Sequence, residues 1–326
     1  MANLGKKSSF GIAGTDSVSE LAPAKLNLGL RISGRRDDGY HEIDSLFVPL
    51  DLSDSVRVAL TQGTGLEIDF QLVDSAGSAR AVSAPGDATN LAAEAARRFL
   101  EASDWQGCAR VELEKSIPVA AGLGGGSSDA AAVLRALERL LPGRLPSGEV
   151  QRLALRLGAD VPYFLDPRPA RVTGIGEEVE PLRGLPRFWV VLVNPGVALP
   201  TAEVYAAWDA LGTTLTPTEA GSTMRALAGL NPDSEEFVSR LNEVLINDLE
   251  PAAVRLCPVI GRLKSQLDEC GARATAMSGS GATVYGVFSD ERSAVQAFEK
   301  AGFEDPIWSR VARVEEEAVS GASPNR

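Results

Sequence analysis

The chain predicts an α+β fold in two domains. Runs of alternating apolar and polar residues mark strands, several of them following one another with only turns between. Strongly helical segments lie among them, without the strict strand–helix alternation of a parallel sheet. The length, 326 residues, suffices for two domains.

In chain order, "AKLNLGLRI" (24–32) alternates and reads as a strand, as do "DSVRVAL" (54–60) and "LEIDFQLV" (66–73). After the turn "APGDAT", "NLAAEAARRFLEAS" reads as a helix with Asn90 as its N-cap. "ARVELEKSI" (109–117) is a strand stopped by Pro118. A glycine run follows, then the helix "SSDAAAVLRALERLL", ended by Pro142 and Gly143. "SGEVQRLALRLG" gives another helix, with Ser147 at its start and Gly158 at its stop. A domain boundary is expected near residue 170, beside "LDPRPA": residues 1–170 form one domain and 171–326 the other. "FWVVLVNPG" (188–196) is a continuous apolar run and predicts a buried strand. A helical, loop-rich stretch extends to about residue 270. Within it, Gly212 to Arg240 carries no motif. "ARATAMSGSGATVYGVF" reads as strand, glycine turn, strand, and "DERSAVQAFEKAG" as a surface helix.

Composition narrows the function. Hydrophobic residues make up 44% and charged residues 23%, as in ordinary globular chains. The net charge, 32 − 44 = −12, opposes general nucleic-acid binding, which needs a basic surface. It leaves room for an anionic small molecule held by a few local donors. No apolar run reaches the length of a membrane-spanning helix. The first twenty residues read as a short mobile leader without the apolar core of a signal peptide, and the tail "EEEAVSGASPNR" as solvated. Cys108, Cys257 and Cys270 form no C-x-x-C pair, and the single histidine, His41, excludes a zinc constellation. A sparse, odd set of cysteines fits a reducing cytoplasm. The expected state is a monomer or weak homodimer without nucleic-acid or membrane partners.

The most informative stretch is "PVAAGLGGGSSDAAAVL" (118–134). Gly122, Gly124, Gly125 and Gly126 stand between a strand and a helix, where they permit positive φ and close backbone approach. Ser127 and Ser128 are expected at or near the helix cap, with free N–H groups and the helix dipole making an anion site. No lysine follows the glycines, so this is not a Walker A loop. "GLGGGS" loosely echoes the dinucleotide fingerprint, but Pro118 to Ala121 separate strand from glycines and no acid ends a second strand downstream. A merely structural glycine turn is the remaining alternative.

The same stretch resembles the central phosphate-binding motif of the GHMP kinases, which phosphorylate small metabolites. "APAKLNLGLRI" resembles that family's N-terminal motif and "MSGSGATVYGVF" its C-terminal one, whose turn (Gly279, Gly281) packs beside the phosphate loop. "RRDDGYHEIDSLF", "LGADVPYFL", "NPGVALPTAEVY" and "NDLE" extend the resemblance over residues 23 to 288, and the first three of these point to members that phosphorylate a cytidine diphosphate-linked polyol. The resemblance implies a two-domain GHMP kinase fold. Its N-terminal ATP-binding domain is ribosomal protein S5 domain 2-like, its C-terminal domain is a ferredoxin-like α/β unit, and the site lies in the cleft between them.

It also implies roles. Asp160, in a turn after Gly158 and before Pro162, would be the general base, a role a carboxylate can fill. Lys25 would orient it and stabilise charge at the reacting hydroxyl. Asn27, on the same strand face as Lys25, would lie beside that hydroxyl. Pro118, Gly122, Leu123, Gly124, Gly125, Gly126, Ser127 and Ser128 would hold the phosphates of ATP, and Asn90, Leu91 and Lys115 would line the adenine pocket. Mg2+ is expected from the chemistry, with its protein ligands open; Ser127, Ser128 and Asp129 are the nearby oxygen donors. Tyr40 and His41, with Tyr205 opposite, would recognise cytosine by stacking. Asp37, Asp38 and Gly39 supply the turn that presents the first two, and Thr201 falls in the substrate-facing segment. Other readings are a GHMP kinase for homoserine or mevalonate, an oxidoreductase binding a dinucleotide, and a non-catalytic regulator that kept the fold.

Overall fold

A computed structural model describes residues 16–73, 85–87, 89–212 and 226–316. Residues 1–15 of the expected leader, 317–326 of the expected tail, parts of the turn "APGDAT" and residues 213–225 lie outside them.

The first half is organised by two long antiparallel strands, β1 (Asp16–Arg35) and β2 (His41–Gln62), joined by a turn at Arg36–Tyr40. β2 carries the sheet. It pairs with β1 along its length, with β4 (Gly107–Glu114) through Ser55–Gln62 and with β5 (Ala170–Gly174) through Ile43–Phe47. β3 (Leu66–Val73) lies parallel to β4, and β6 (Glu178–Pro181) antiparallel to β5, completing a six-stranded sheet. The sequence shows only residues 54–60 of β2, because Pro49 and the polar "DLSD" interrupt the alternation. Of three register shifts in the β1–β2 pair, the one at Pro23/Lys25 falls opposite Ser53 and Pro49 and absorbs those interruptions; the others, at Asn27/Gly29 and Ile32/Gly34, lie nearer the turn. β1 likewise starts earlier than expected, taking Asp16–Glu20 out of the supposed leader.

Helices α1 (Leu91–Ala102) and α2 (Gly125–Leu140) pack on this sheet, and α3 (Glu149–Leu157) packs on those two helices. Asn90 caps α1 as expected, its side chain accepting from Ala92 N–H at 3.0 Å. The N-cap of α3 is Gly148, not Ser147: a left-handed glycine (φ 79°) turns the chain into the helix there. Ala130, Ala131, Ala132 and Ala136 of α2 are fully buried, and these small side chains let the helix lie close against its neighbours.

The second sheet is antiparallel, in the order β10 (Trp308–Arg313), β7 (Trp189–Asn194), β9 (Val284–Phe288), β8 (Ala274–Met277). The chain changes sheets between Pro181 and Trp189, past the boundary suggested near residue 170, because β5 and β6 still pair into the first sheet. Around it lie α4 (Thr201–Asp209), α5 (Glu235–Val244), α6 (Glu250–Leu256), α7 (Val259–Glu269) and α8 (Glu291–Ala301). Glu315, in the segment read as solvated, is buried and paired with Arg313.

β1 ties the halves together. Ala22 joins the core under α1 and α2; Ala24, Leu26 and Leu28 pack with Phe188, Val190 and Tyr285; Leu30 and Ile32 pack with Val191, Val193 and Trp208. Beyond the sheet, Leu30 N–H donates to Ile246 O at 2.9 Å and Asp248 N–H to Leu30 O at 2.8 Å. Gly29 sits where a Cβ would overlap the Val244 carbonyl oxygen. Gly29→Ala should therefore force β1 off the second half and cost about 1–3 kcal/mol, the range for overpacked interiors. Urea unfolding would measure this, with a shifted midpoint and an unchanged slope expected.

Candidate active site

Between the two sheets lies a cavity of about 700 Å³. Lys25, Asn27, Tyr40, His41, Gly122, Gly124, Asp160, Thr201 and Tyr205 all line it, so the structure gathers these predicted residues from across the chain.

At its centre is Lys25, in β1 and 4% exposed. Its Nζ donates to Asn27 Oδ1, lies 3.8 Å from Asp160 Oδ2 and sits 4.5 Å from the centre of the Phe47 ring. Burial pushes the ammonium below the ordinary lysine range, and the Asp160 carboxylate pulls it back up. The expectation that Lys25 and Asn27 share a face holds, and Asn27 Nδ2 is anchored in turn on Ser45 Oγ at 2.9 Å. Asp160 follows α3, where the extended Gly158 ends the helix. Its side chain is about a third exposed, open to the cavity beside the buried lysine. The Tyr163 hydroxyl is buried with no hydrogen-bond partner among the described residues, and burial together with Asp160 drives its pKa well up.

The glycine loop forms one wall. Gly122 and Gly124 take positive φ, 75° and 72°. A Cβ on Gly124 would meet the Phe164 ring at 2.6 Å and Lys25 Cγ at 3.1 Å, so glycine is required there sterically as well. Gly124 is the N-cap of α2, and the first intrahelical bond is Ser128 N–H to Gly124 O at 2.9 Å. The N–H groups of Gly125, Gly126 and Ser127 precede that bond and are the helix's orphan donors. Ser128 is thus inside the helix, fully buried, and its N–H is not free as expected. The turn with Gly279 (φ 57°) and Gly281 (φ 92°) packs on the loop. Ser278 Oγ donates to Gly122 O at 2.9 Å and accepts from Asn27 N–H at 3.2 Å, joining loop, turn and β1. Asn247 Nδ2 holds the same turn through Met277 O and Gly279 O, at 2.9 and 2.8 Å.

The proposed adenine residues stand apart from this cavity. Asn90 spends its side chain on the α1 cap and on Pro85 O at 2.9 Å, and Leu91 packs against the first core. Lys115 binds Asp54 and Asp129, the latter at 2.7 Å. Asp54 also accepts from Ile117 N–H at 2.8 Å, so this buried chain of charges anchors both ends of the glycine loop. Pro118 and Leu123 shape the loop from behind; Leu123 O accepts from Lys25 N–H at 3.0 Å.

No cage for a metal is built here: among the described residues no group of three or more His, Cys, Asp or Glu could hold an ion. Asp129 is buried against Lys115 and the Ser128 hydroxyl is closed off, which leaves Ser127 as the accessible oxygen. Such a set fits Mg2+ carried by phosphate oxygens and water, the usual way this ion meets a kinase site.

At the far end, the turn residues behave as read. Gly39 takes φ 90° and Tyr40 N–H donates to Asp38 Oδ1 at 3.2 Å. Tyr40 is 61% exposed at the rim. His41 stacks on Tyr205 at 4.9 Å between ring centres and meets Trp208 edge-on at 5.5 Å. Burial and Asp160 push the Tyr205 hydroxyl up to about 12. The 4.9 Å gap admits no third ring between His41 and Tyr205. A stacked base needs the exposed Tyr40 side of the cavity. Thr201 Oγ1 lies 3.0 Å from Ser280 Oγ, closing the cavity over the glycine turn.

Sequence reasoning missed Phe47, Ser278, Asn247 and Asp209. Ser278 was signalled by its place beside Gly279, and Asp209 by standing four residues after Tyr205, on the same helix face. Phe47 and Asn247 gave no local signal; only tertiary packing brings them to the site.

Comparison with known proteins bears on the fold and the family. Residues 90–166 match the family described as GHMP kinases N terminal domain, and residues 224–305 that described as GHMP kinases C terminal. The 4-diphosphocytidyl-2-C-methyl-D-erythritol kinase of Syntrophotalea carbinolica is 40% identical over 281 residues, 86% of this chain and 93% of its own. That of Gluconacetobacter diazotrophicus is 41% identical over 298 residues, 89% of this chain and 94% of its own. A crystal structure of 4-(cytidine 5'-diphospho)-2C-methyl-D-erythritol kinase superposes with a TM-score of 0.73 at 36% identity, covering 91% of this chain and 100% of that one. Homoserine kinase from Cytophaga hutchinsonii, at 19% identity, shares the fold with a TM-score of 0.67 over 97% of this chain and 98% of its own. With relatives 40% identical or more over most of both lengths, and with both family models matched in order, the chain belongs to the GHMP kinases, within the family of the 4-diphosphocytidyl-2-C-methyl-D-erythritol kinases.

Proposed function

We propose that the protein transfers the γ-phosphate of ATP to the 2-hydroxyl of 4-diphosphocytidyl-2-C-methyl-D-erythritol, in the non-mevalonate route to isoprenoid precursors. The observation that carries this is the Lys25–Asp160 pair, 3.8 Å apart, lying between a glycine loop and an aromatic end in one cavity. Asp160 takes the hydroxyl proton as the oxygen attacks the γ-phosphorus and the bond to ADP breaks. Lys25 holds the carboxylate in line and offsets charge on the attacking oxygen. Asn27 keeps the lysine in place through its amide oxygen.

The orphan N–H groups of Gly125, Gly126 and Ser127, presented by the loop from Pro118 through Leu123 to Gly124, hold the phosphates. Asn90, Leu91 and Lys115 flank the adenine, by backbone and apolar surface where their side chains are already engaged. When bound with the nucleotide, Mg2+ neutralises phosphate charge. Tyr40, His41, Tyr205 and Thr201 receive the cytidine end. A homoserine or mevalonate substrate has no ring for that end to stack on. Three free cysteines suit a cytoplasmic setting, which is part of the same proposal.

Asp160→Asn should fold normally and lose kcat by about 100-fold or more, the usual share of general-base catalysis. ADP release coupled to a spectroscopic assay would measure it; near wild-type turnover would remove the base from the mechanism. His41→Ala should raise the KM for the cytidine substrate and leave the KM for ATP unchanged, whereas a large fall in kcat at saturation would make His41 catalytic.

A further inference from the structure

The single histidine is held by a group that has no part in the mechanism above. His41 Nε2 lies 2.8 Å from Asp209 Oδ1, at the last residue of α4. A carboxylate only accepts hydrogen bonds, so the ring hydrogen sits on Nε2. Arg35 Nη1 stands 3.5 Å from the other Asp209 oxygen and keeps the carboxylate aligned. Tyr205 stacks on one face of the imidazole and Trp208 meets it edge-on, so ring plane and hydrogen position are fixed together. In the neutral ring Nδ1 is then an acceptor. Among the described residues Nδ1 has no hydrogen-bond partner, although the ring lines the cavity.

We propose that Asp209 is a positioning residue that sets base preference. By holding His41 as the Nε2–H tautomer it offers Nδ1 to the ligand as an acceptor. That selects a pyrimidine with an exocyclic amino donor, as in cytosine, over one with a carbonyl oxygen at the same place, as in uracil. An oxo base would set two acceptors against each other, and shifting the proton to Nδ1 would only move the clash to Asp209. The inference rests on the cytidine reading of this site.

One histidine in the chain makes the test direct. The untagged protein, labelled with 15N at histidine, gives a single imidazole pattern in a two-bond 1H–15N correlation spectrum near neutral pH. A protonated Nε2 with a bare Nδ1 is expected; the Nδ1–H tautomer or a doubly protonated ring overturns the proposal. Asp209→Asn, whose amide can also donate, should release the tautomer. The preference in kcat/KM for the cytidine substrate over its uridine counterpart should then fall at least about tenfold, as when a buried polar group loses its match. The KM for ATP should stay unchanged. An unchanged preference in a folded Asp209→Asn also overturns it. The spectrum needs no turnover, so it fails independently of the reading, which fails if the wild type does not phosphorylate the cytidine substrate.

Discussion

The site depends on a lysine ammonium kept almost dry. A charge buried in protein must be paired and hydrogen-bonded, or it neutralises. Lys25 meets that demand with the Asn27 amide, the Asp160 carboxylate and the face of Phe47, drawn from β1, the turn after α3, and β2. Asn27 is fixed by further bonds: its amide by Ser45, and its backbone by Ser278 and by the Tyr285 hydroxyl at 2.9 Å. The backbone bonds of Asn27 tie this cluster to the second sheet. In the proposed reaction the position of the ammonium sets where a hydroxyl is deprotonated, between the glycine loop on one side and the aromatic end on the other.

β1 makes this possible because it is buried along both faces. Its even-numbered apolar residues feed successive cores, while the intervening Lys25 and Asn27 face the cavity. The glycine loop is held from two directions. Lys115 with Asp54 and Asp129 anchors its ends, and Ser278 with Asn247 fixes the turn that rests on it. Backbone donors at the start of α2 are thereby set before any ligand arrives, the arrangement that makes electrostatic stabilisation of phosphate effective.

Much of this is legible in the sequence where the signal is local. Alternation marked β3 and β4, Asn90 announced its helix, and the glycines before α2 announced a left-handed turn into a helix start. The turn Asp37–Gly39 was equally plain, because left-handed backbone demands glycine. Long-range pairing was not legible. The first part of β2, broken by Pro49, is a strand only because β1 and β5 flank it. Ser128 looked like a cap because the helix start depends on the conformation of Gly124, which the sequence leaves open among four glycines. Phe47 and Asn247 enter the site through tertiary contact alone. In the histidine's case the residue was visible, and Asp209 stood on the same helix face as Tyr205, but the bond between His41 and Asp209 spans 168 residues and only the fold makes it.

The central claim is that Lys25 and Asp160 act as one unit, and a double-mutant cycle on kcat tests it most directly. Lys25→Met and Asp160→Asn are made singly and together, and turnover is measured at saturating ATP and polyol. If the lysine works through the carboxylate, the double variant will be about as slow as the slower single one, because residues acting as a unit are strongly non-additive. A double variant whose loss equals the product of the two single losses would contradict the account.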